Sequence, residues 1–198
     1  YFALKGDNFD GNAFVEKALD LGALYCVVDD KNAVINANCI LVDDTLKTLQ
    51  DLASFHRMHI NIPIIALTGS NGKTTTKELI HAVLASQYKV LATKGNLNNH
   101  IGVPLTLLRF TKDLDFGIVE MGANHQKEIE FLTQITQPDF GLITNFGKAH
   151  LEGFGGIEGI VKGKSELYDH LKTHHKYVFV NTDDEKQLKQ IQDSSEIY

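Results

Sequence analysis

IIALTGSNGKTTTKELI, residues 64–80, runs from an apolar strand through a glycine loop into an amphipathic helix. That order is the layout of a phosphate-binding loop. Gly69 and Gly72 let successive backbone N–H groups turn inward, and the helix start adds the positive end of its dipole. Ser70, Asn71 and Thr75 complete the loop, Lys73 is positioned for the β- and γ-phosphates, and the Thr74 hydroxyl suits Mg²⁺. The loop is shorter than the general G-x-x-x-x-G-K-[ST] form, because the position of its first glycine holds Leu67. The residues read as a nucleotide site and leave the reaction open.

Downstream, the segments IIALT, FGIVEM, FGLITN and YVFVN are short and almost wholly apolar, as in strands buried on both faces of a parallel sheet. Helical periodicity fits between them over 74–86, 126–135 and 157–171. This alternation predicts an α/β fold with a doubly wound, mostly parallel sheet and its site at the C-terminal strand ends. Upstream, residues 1–60 read as a smaller α/β unit. A helix over 13–21 leads into the strand ALYCVV, the strand CILV follows, and both strands end in Asp-Asp turns. Thr45 then begins a helix with Leu46, Leu49, Leu52 and Ala53 on one apolar face. Asn61, Ile62 and Pro63 mark the expected boundary, so the domains are expected at 1–60 and 61–198. The chain opens at Tyr1 without an initiator methionine and ends in a polar stretch with no closing element, so both domains are expected to be partial.

A 43% hydrophobic and 22% charged composition is ordinary for a globular protein, and 198 residues suffice for one full domain or two small ones. No apolar run reaches membrane-spanning length and the N-terminus lacks the pattern of a signal peptide, so an intracellular protein without membrane insertion is expected. Nineteen basic residues against 25 acidic ones, spread along the chain, give a net charge of −6. With no basic stripe, a nucleic-acid partner is not expected. Cys26 and Cys39 lie in apolar runs and read as reduced core thiols rather than a disulfide.

Further places carry chemistry-bearing side chains. Glu120 ends the strand FGIVEM and His150 follows FGLITN, so both fall at the same sheet edge as the loop. Each suits a metal, and each also has an ordinary surface or helix-start reading. Asn98 and Asn99 precede Gly102-Val103-Pro104, a polar loop that either contacts substrate or caps the helix that Pro104 begins. Asn124 has the same two readings. His170, His174 and His175 lack a convincing zinc partner and read as a solvated helix end, and His56 and His59 as helix surface.

TGSNGKTT resembles the ATP loop of the Mur ligases, which extend the peptide of the peptidoglycan precursor. KGNLNNHIGVPLTLLRF, VEMGANHQKEIE and ITNFGKAHLEGFGGIEGIVKGKSEL resemble its D-alanyl-D-alanine-adding branch, and YFALKGDNFDGNAF resembles part of that branch's UDP-binding N-terminal domain. The resemblance implies a cytoplasmic, ATP-dependent ligase of peptidoglycan biosynthesis acting on UDP-MurNAc-tripeptide and D-Ala-D-Ala. The peptide carboxylate takes the γ-phosphate of ATP and the dipeptide amine then displaces phosphate, so no side-chain nucleophile is needed. The resemblance further implies that Thr74, Glu120, His150 and a carbamylated Lys164 hold Mg²⁺, with Lys73, His150 and Lys164 catalytic and Asn98 and Asn99 at the substrate. It also implies a C-terminal domain for the amino substrate that this chain does not contain, hence a fragment inactive alone. Oligomeric state and the third residue of the peptide leave no trace in the sequence.

Rival readings are a P-loop kinase or GTPase, for which neither an Asn-Lys-x-Asp segment nor a Walker-type Asp strand is found; another Mur step or folylpolyglutamate synthase; and a noncatalytic nucleotide-binding module. Lys73, Thr74, Glu120 and His150 together argue against the last.

Overall fold

The computed structural model describes residues 1–191; residues 192–198, assigned above to the second domain, lie outside the described residues. The chain divides into two compact units, 1–52 and 53–198.

In the first unit, β1 (Lys5–Gly6) and β2 (Phe9–Asp10) form a short antiparallel pair, followed by α1 (Val15–Asp20). β3 (Cys26–Val28) and β4 (Cys39–Leu41) pair in parallel. Both strands are shorter than expected from the apolar runs: Leu24 and Tyr25 are exposed, and only Cys26, Val27 and Val28 are buried. The two cysteines are cross-strand neighbours and free, and Cys39 is only partly covered, so just one is a core thiol. Ala3, Val15, Cys26, Val28 and Ala33 form the core.

Helix α2 (Thr45–Ile60) begins in the first unit and ends in the second. Asp44 accepts the Lys47 N–H, so the Asp-Asp turn acts as its start signal. Leu49 and Ala53 are buried as expected, but Leu52 is exposed. The two compact units thus divide inside this helix. The reason lies in the helix's second half, where Ala53 and Ile60 join the second core and Arg57 donates to Thr136 O, Gln137 O and the Asp139 carboxylate, each at 2.9 Å. His56 is likewise more than helix surface, with Nε2 2.8 Å from Phe110 O.

The second unit contains β5 (Ile64–Thr68), α3 (Lys73–Leu84), β6 (Val90–Ala92), α4 (Gly102–Leu107), β7 (Phe116–Glu120), α5 (Glu128–Thr136), β8 (Phe140–Ile143), α6 (Leu151–Phe154), α7 (Ile157–Thr173), β9 (Tyr177–Phe179) and α8 (Glu185–Ile191). The five strands form one parallel sheet ordered β6-β7-β5-β8-β9, so strand order reverses about β5, as in a doubly wound sheet. β5 is buried throughout, which explains its unbroken apolar run. β9, at the edge, exposes Tyr177 and Phe179 and departs from the both-faces-buried expectation. β6, α6 and α8 were too short for periodicity to mark; α8 buries Gln187 and Ile191, so the polar tail does hold a packed element.

Two polar networks fix the sheet. Asp139 accepts from Arg57, from Ile64 N and from Lys176, tying the N-terminal ends of β5 and β8 to α2. Tyr168 of α7, fully buried, accepts from Ile143 N and donates to Phe179 O or Gln187 Oε1, while Gln187 donates to Ile143 O. Burial pushes the Tyr168 hydroxyl up to about 12.

Arg57→Ala would leave the carbonyls of Thr136 and Gln137 unpaired in a closed site. A loss of about 3 kcal/mol is expected, read as a lower urea midpoint at unchanged slope.

Candidate active site

Register decides what meets at the sheet's C-terminal edge. Leu67 pairs with Glu120 and Thr68 with Ile143, so β5, β7 and β8 end side by side. The glycine loop leaves from the central strand at the point where strand order reverses.

Two glycines shape the loop. Gly69 has φ +144°, and a Cβ there would stand 2.0 Å from Thr144 Oγ1; Gly72 has φ +76° and begins α3 without any side-chain cap. The segment after β8 buttresses the loop. Asn145 O accepts from Ser70 N, Thr144 Oγ1 and Asn145 Nδ2 donate to Asn71 O, and Ser70 Oγ donates to Gly147 O. Lys73 lies along its own loop, with Nζ 2.8 Å from Gly69 O and 3.3 Å from Ser70 O. Burial lowers its basicity, and the negative charge of Glu120 partly offsets that.

Glu120 is 1% exposed. Its Oε1 accepts from Thr74 Oγ1 at 3.3 Å and from Asn98 Nδ2 at 2.8 Å, so three of the expected site residues converge. Its Oε2 is buried without a hydrogen-bond partner among the described residues. A desolvated carboxylate oxygen with free lone pairs beside a P-loop hydroxyl is suited to a hard divalent cation, which takes few protein ligands when phosphate and water complete its shell. The arrangement fits Mg²⁺.

The two asparagines separate. Asn98 holds Glu120, whereas Asn99 Oδ1 accepts from Ile101 N and Gly102 N and caps α4, with Pro104 in the first turn as expected. Asn124 does not cap α5. Instead Glu128 accepts from Asn124 N and His125 N, and the buried Glu166 of α7 accepts from Lys127 N and Glu130 N.

Lys164 is 2% exposed, donates to Ala123 O at 3.2 Å and lies 5.0 Å from the centre of the Phe154 ring. Its amine is pushed down to about 8, chiefly by burial and then by the charge of Lys73. Lys162 is exposed. His150 is exposed at φ +56°, where it begins α6, and among the described residues its ring has no hydrogen bond to Glu120, Thr74 or Asn98. His170 stacks on His174 at 4.2 Å; it is half-buried, which together with His174 pushes its pKa down to about 4. Among the described residues no three His, Cys, Asp or Glu side chains converge on a metal position.

The sequence reading missed Lys77, fully buried one helical turn after Lys73, and the Thr144–Gly147 buttress. An i,i+4 lysine pair in KTTTK was the available signal for Lys77. A groove of about 780 Å³ lies elsewhere, between α5, α7 and the start of β8, and is lined by Arg57, Gln137, Asp139 and His170 among others.

Residues 67–197 match the Mur ligase middle domain. The chain belongs to the Mur ligase family. Among relatives of this Mur ligase chain, the UDP-N-acetylmuramoyl-tripeptide–D-alanyl-D-alanine ligase of Haemophilus influenzae is 46% identical over 172 residues, 85% of this chain and 38% of that protein. A crystal structure of MurF from Acinetobacter baumannii matches with a TM-score of 0.85 at 38% identity, covering 96% of this chain and 42% of that one. MurF from Thermotoga maritima in complex with ADP matches with a TM-score of 0.76 at 36% identity, covering 85% and 39%. The chain thus spans about two fifths of the length of these relatives. Among the described residues no helix is long and apolar enough to cross a membrane.

Lys164 gives a pH signature. Its folded pKa lies below that of an unfolded lysine, so above about pH 8 the unfolded chain holds a proton that the folded chain has shed, and stability rises with pH up to the ordinary lysine value. In denaturant melts from pH 7 to 10, the balance between wild type and Lys164→Met is expected to move towards wild type as pH rises. A gap independent of pH would remove the perturbed amine.

Proposed function

We propose that this chain is the nucleotide-binding and substrate-activating part of an ATP-dependent, cytoplasmic ligase that joins D-alanyl-D-alanine to UDP-N-acetylmuramoyl-tripeptide in peptidoglycan synthesis. The observation that carries the reading is Glu120, buried at the end of β7 against Thr74 of the phosphate loop with one oxygen free. Residues 1–60 are read as part of the UDP-precursor-binding domain and 61–198 as the ATP-binding central domain. The reaction class follows the named relatives, the first of which is a UDP-N-acetylmuramoyl-tripeptide–D-alanyl-D-alanine ligase. Nucleotide use is supported by the related MurF structure in complex with ADP.

In this reading the N–H groups of Gly72 to Thr75, at the uncapped start of α3, hold the phosphates, and Gly69, Ser70 and Asn71 shape the turn that presents them. Lys73 turns from the loop carbonyls to the β- and γ-phosphate oxygens, and Thr74 and Glu120 hold Mg²⁺. Bound there, Mg²⁺ would neutralise charge on the phosphate oxygens. Asn98 keeps Glu120 in its rotamer, leaving Oε2 for the cation. His150 enters only by a rearrangement of the loop before α6, and Asn99 acts on substrate through the loop that it caps. Lys164, with an amine basicity near neutrality, is suited to adding CO₂ at Nζ with loss of a proton, which turns a cation into an anionic ligand. The peptide carboxylate oxygen attacks the γ-phosphorus and ADP leaves. The dipeptide amine then attacks the acyl carbon, phosphate leaves and the amine gives up a proton. For these steps the chain supplies position and charge complementarity.

Calorimetry with ATP and Mg²⁺ tests the site. Lys73→Ala is expected to weaken ATP binding by roughly tenfold or more. Thr74→Val is expected to remove most of the Mg²⁺-dependent gain while sparing the metal-free affinity. ATP binding unchanged in Lys73→Ala would overturn the reading.

A further inference from the structure

Lys77 has no part in the mechanism above, yet it is a lysine with no exposed surface. Its ammonium donates to Thr93 O at 2.7 Å and Gly95 O at 3.3 Å, and pairs with the Glu78 carboxylate at 3.0 Å. It stands 3.9 Å from Glu120 Oε2, beyond hydrogen-bond length, and that oxygen is the one without a hydrogen-bond partner. Its donors are therefore taken by other groups, while its charge faces Glu120 across a site from which water is excluded, where an ion pair is screened little. Thr93, whose carbonyl Lys77 holds, also accepts the Glu120 N–H through Oγ1 at 3.0 Å, and the same segment runs on to Asn98, which holds Oε1.

We propose that Lys77 is a positioning residue for Glu120. It offsets the charge of the buried carboxylate without occupying Oε2, and it pins the strand end that delivers Asn98 and Thr93 to Glu120. An ammonium hydrogen-bonded directly to Oε2 would fill the coordination position; at 3.9 Å it leaves the lone pairs available to a divalent cation. The cation role rests on the function proposed above. The charge coupling between Lys77 and Glu120 does not.

A thermal-melt cycle in the full 198-residue chain tests the coupling, using Lys77→Met, Glu120→Gln and the double variant. Lys77→Met is expected to lower the midpoint by roughly 10 °C, because it strands a buried charge, and to cost only a few degrees in the Glu120→Gln background, where no charge remains to offset. If Lys77→Met alone does not fold, the double variant is expected to fold. Equal losses in both backgrounds, or a double variant that also fails to fold, would reduce Lys77 to a backbone tether and overturn the proposal.

Calorimetry with ATP, with and without Mg²⁺, reads the positioning role, using the single variant if it folds. Lys77→Met is expected to lose most of the Mg²⁺-dependent gain in affinity and to keep metal-free binding within about threefold, less than 1 kcal/mol. A full gain retained in Lys77→Met would overturn the positioning role even if the melts show coupling. Wild type without any Mg²⁺ gain would instead count against the function reading, and the melt cycle would still decide the coupling.

Discussion

The parallel register of β5 between β7 and β8 governs everything at the site. Because Leu67 lies beside Glu120 and Thr68 beside Ile143, three strands end together, and the loops that follow them share one edge. A slip of one residue would turn Glu120 to the other face of the sheet. Burial on β5, with no polar interruption from Ile64 to Leu67, specifies that register through side-chain packing. The Arg57–Asp139 pair anchors the opposite end, and the Tyr168–Gln187 network closes the end of β8.

Around that edge, charge is placed before any ligand is considered. Lys77 and Lys164 are buried and Lys73 partly so, and Glu120 is the buried anion beside Lys73 and Lys77. Each lysine finds main-chain carbonyls: Gly69 and Ser70, Thr93 and Gly95, and Ala123. Such ammonium groups are held by oriented dipoles in place of water, which lowers the reorganisation needed when phosphate arrives. Burial, which strips water from the charged amine, lowers the basicity of Lys73 and Lys164. The site is thus preorganised and under electrostatic tension, the usual condition of groups that act on substrate rather than on stability.

Neighbouring residues of one type came to different ends. Asn98 and Asn99 are adjacent, yet one holds the carboxylate and the other caps α4. Glu166 and Lys164 are two residues apart on α7; one caps α5, and the other donates to Ala123 O after β7. His150 has the spacing of a ligand, but its backbone turns left-handed at the start of α6 and leaves the ring exposed. Residue type and spacing select candidates, and the direction of the backbone at each position separates them.

Local interactions wrote much of this protein into the sequence. The strand–glycine–helix transition at 64–80, the apolar runs of β5, β7 and β8, the helices α3, α5 and α7 and the Asp-Asp starts are governed by hydrophobic periodicity and by main-chain hydrogen bonds a few residues apart. These signals survive in one dimension. Contacts between distant segments do not: Thr144 and Asn145 supporting the loop from more than seventy positions away, Arg57 carrying the end of α2 into the second core, Glu166 capping a foreign helix, and Lys77 set beside Glu120. Each depends on which strands lie adjacent and which way a side chain faces, quantities fixed by packing of the whole sheet. The sequence by itself determined the α/β class, the loop and the identity of Glu120 as a candidate; tertiary structure alone decided which of its oxygens remained free and which lysine stands against it.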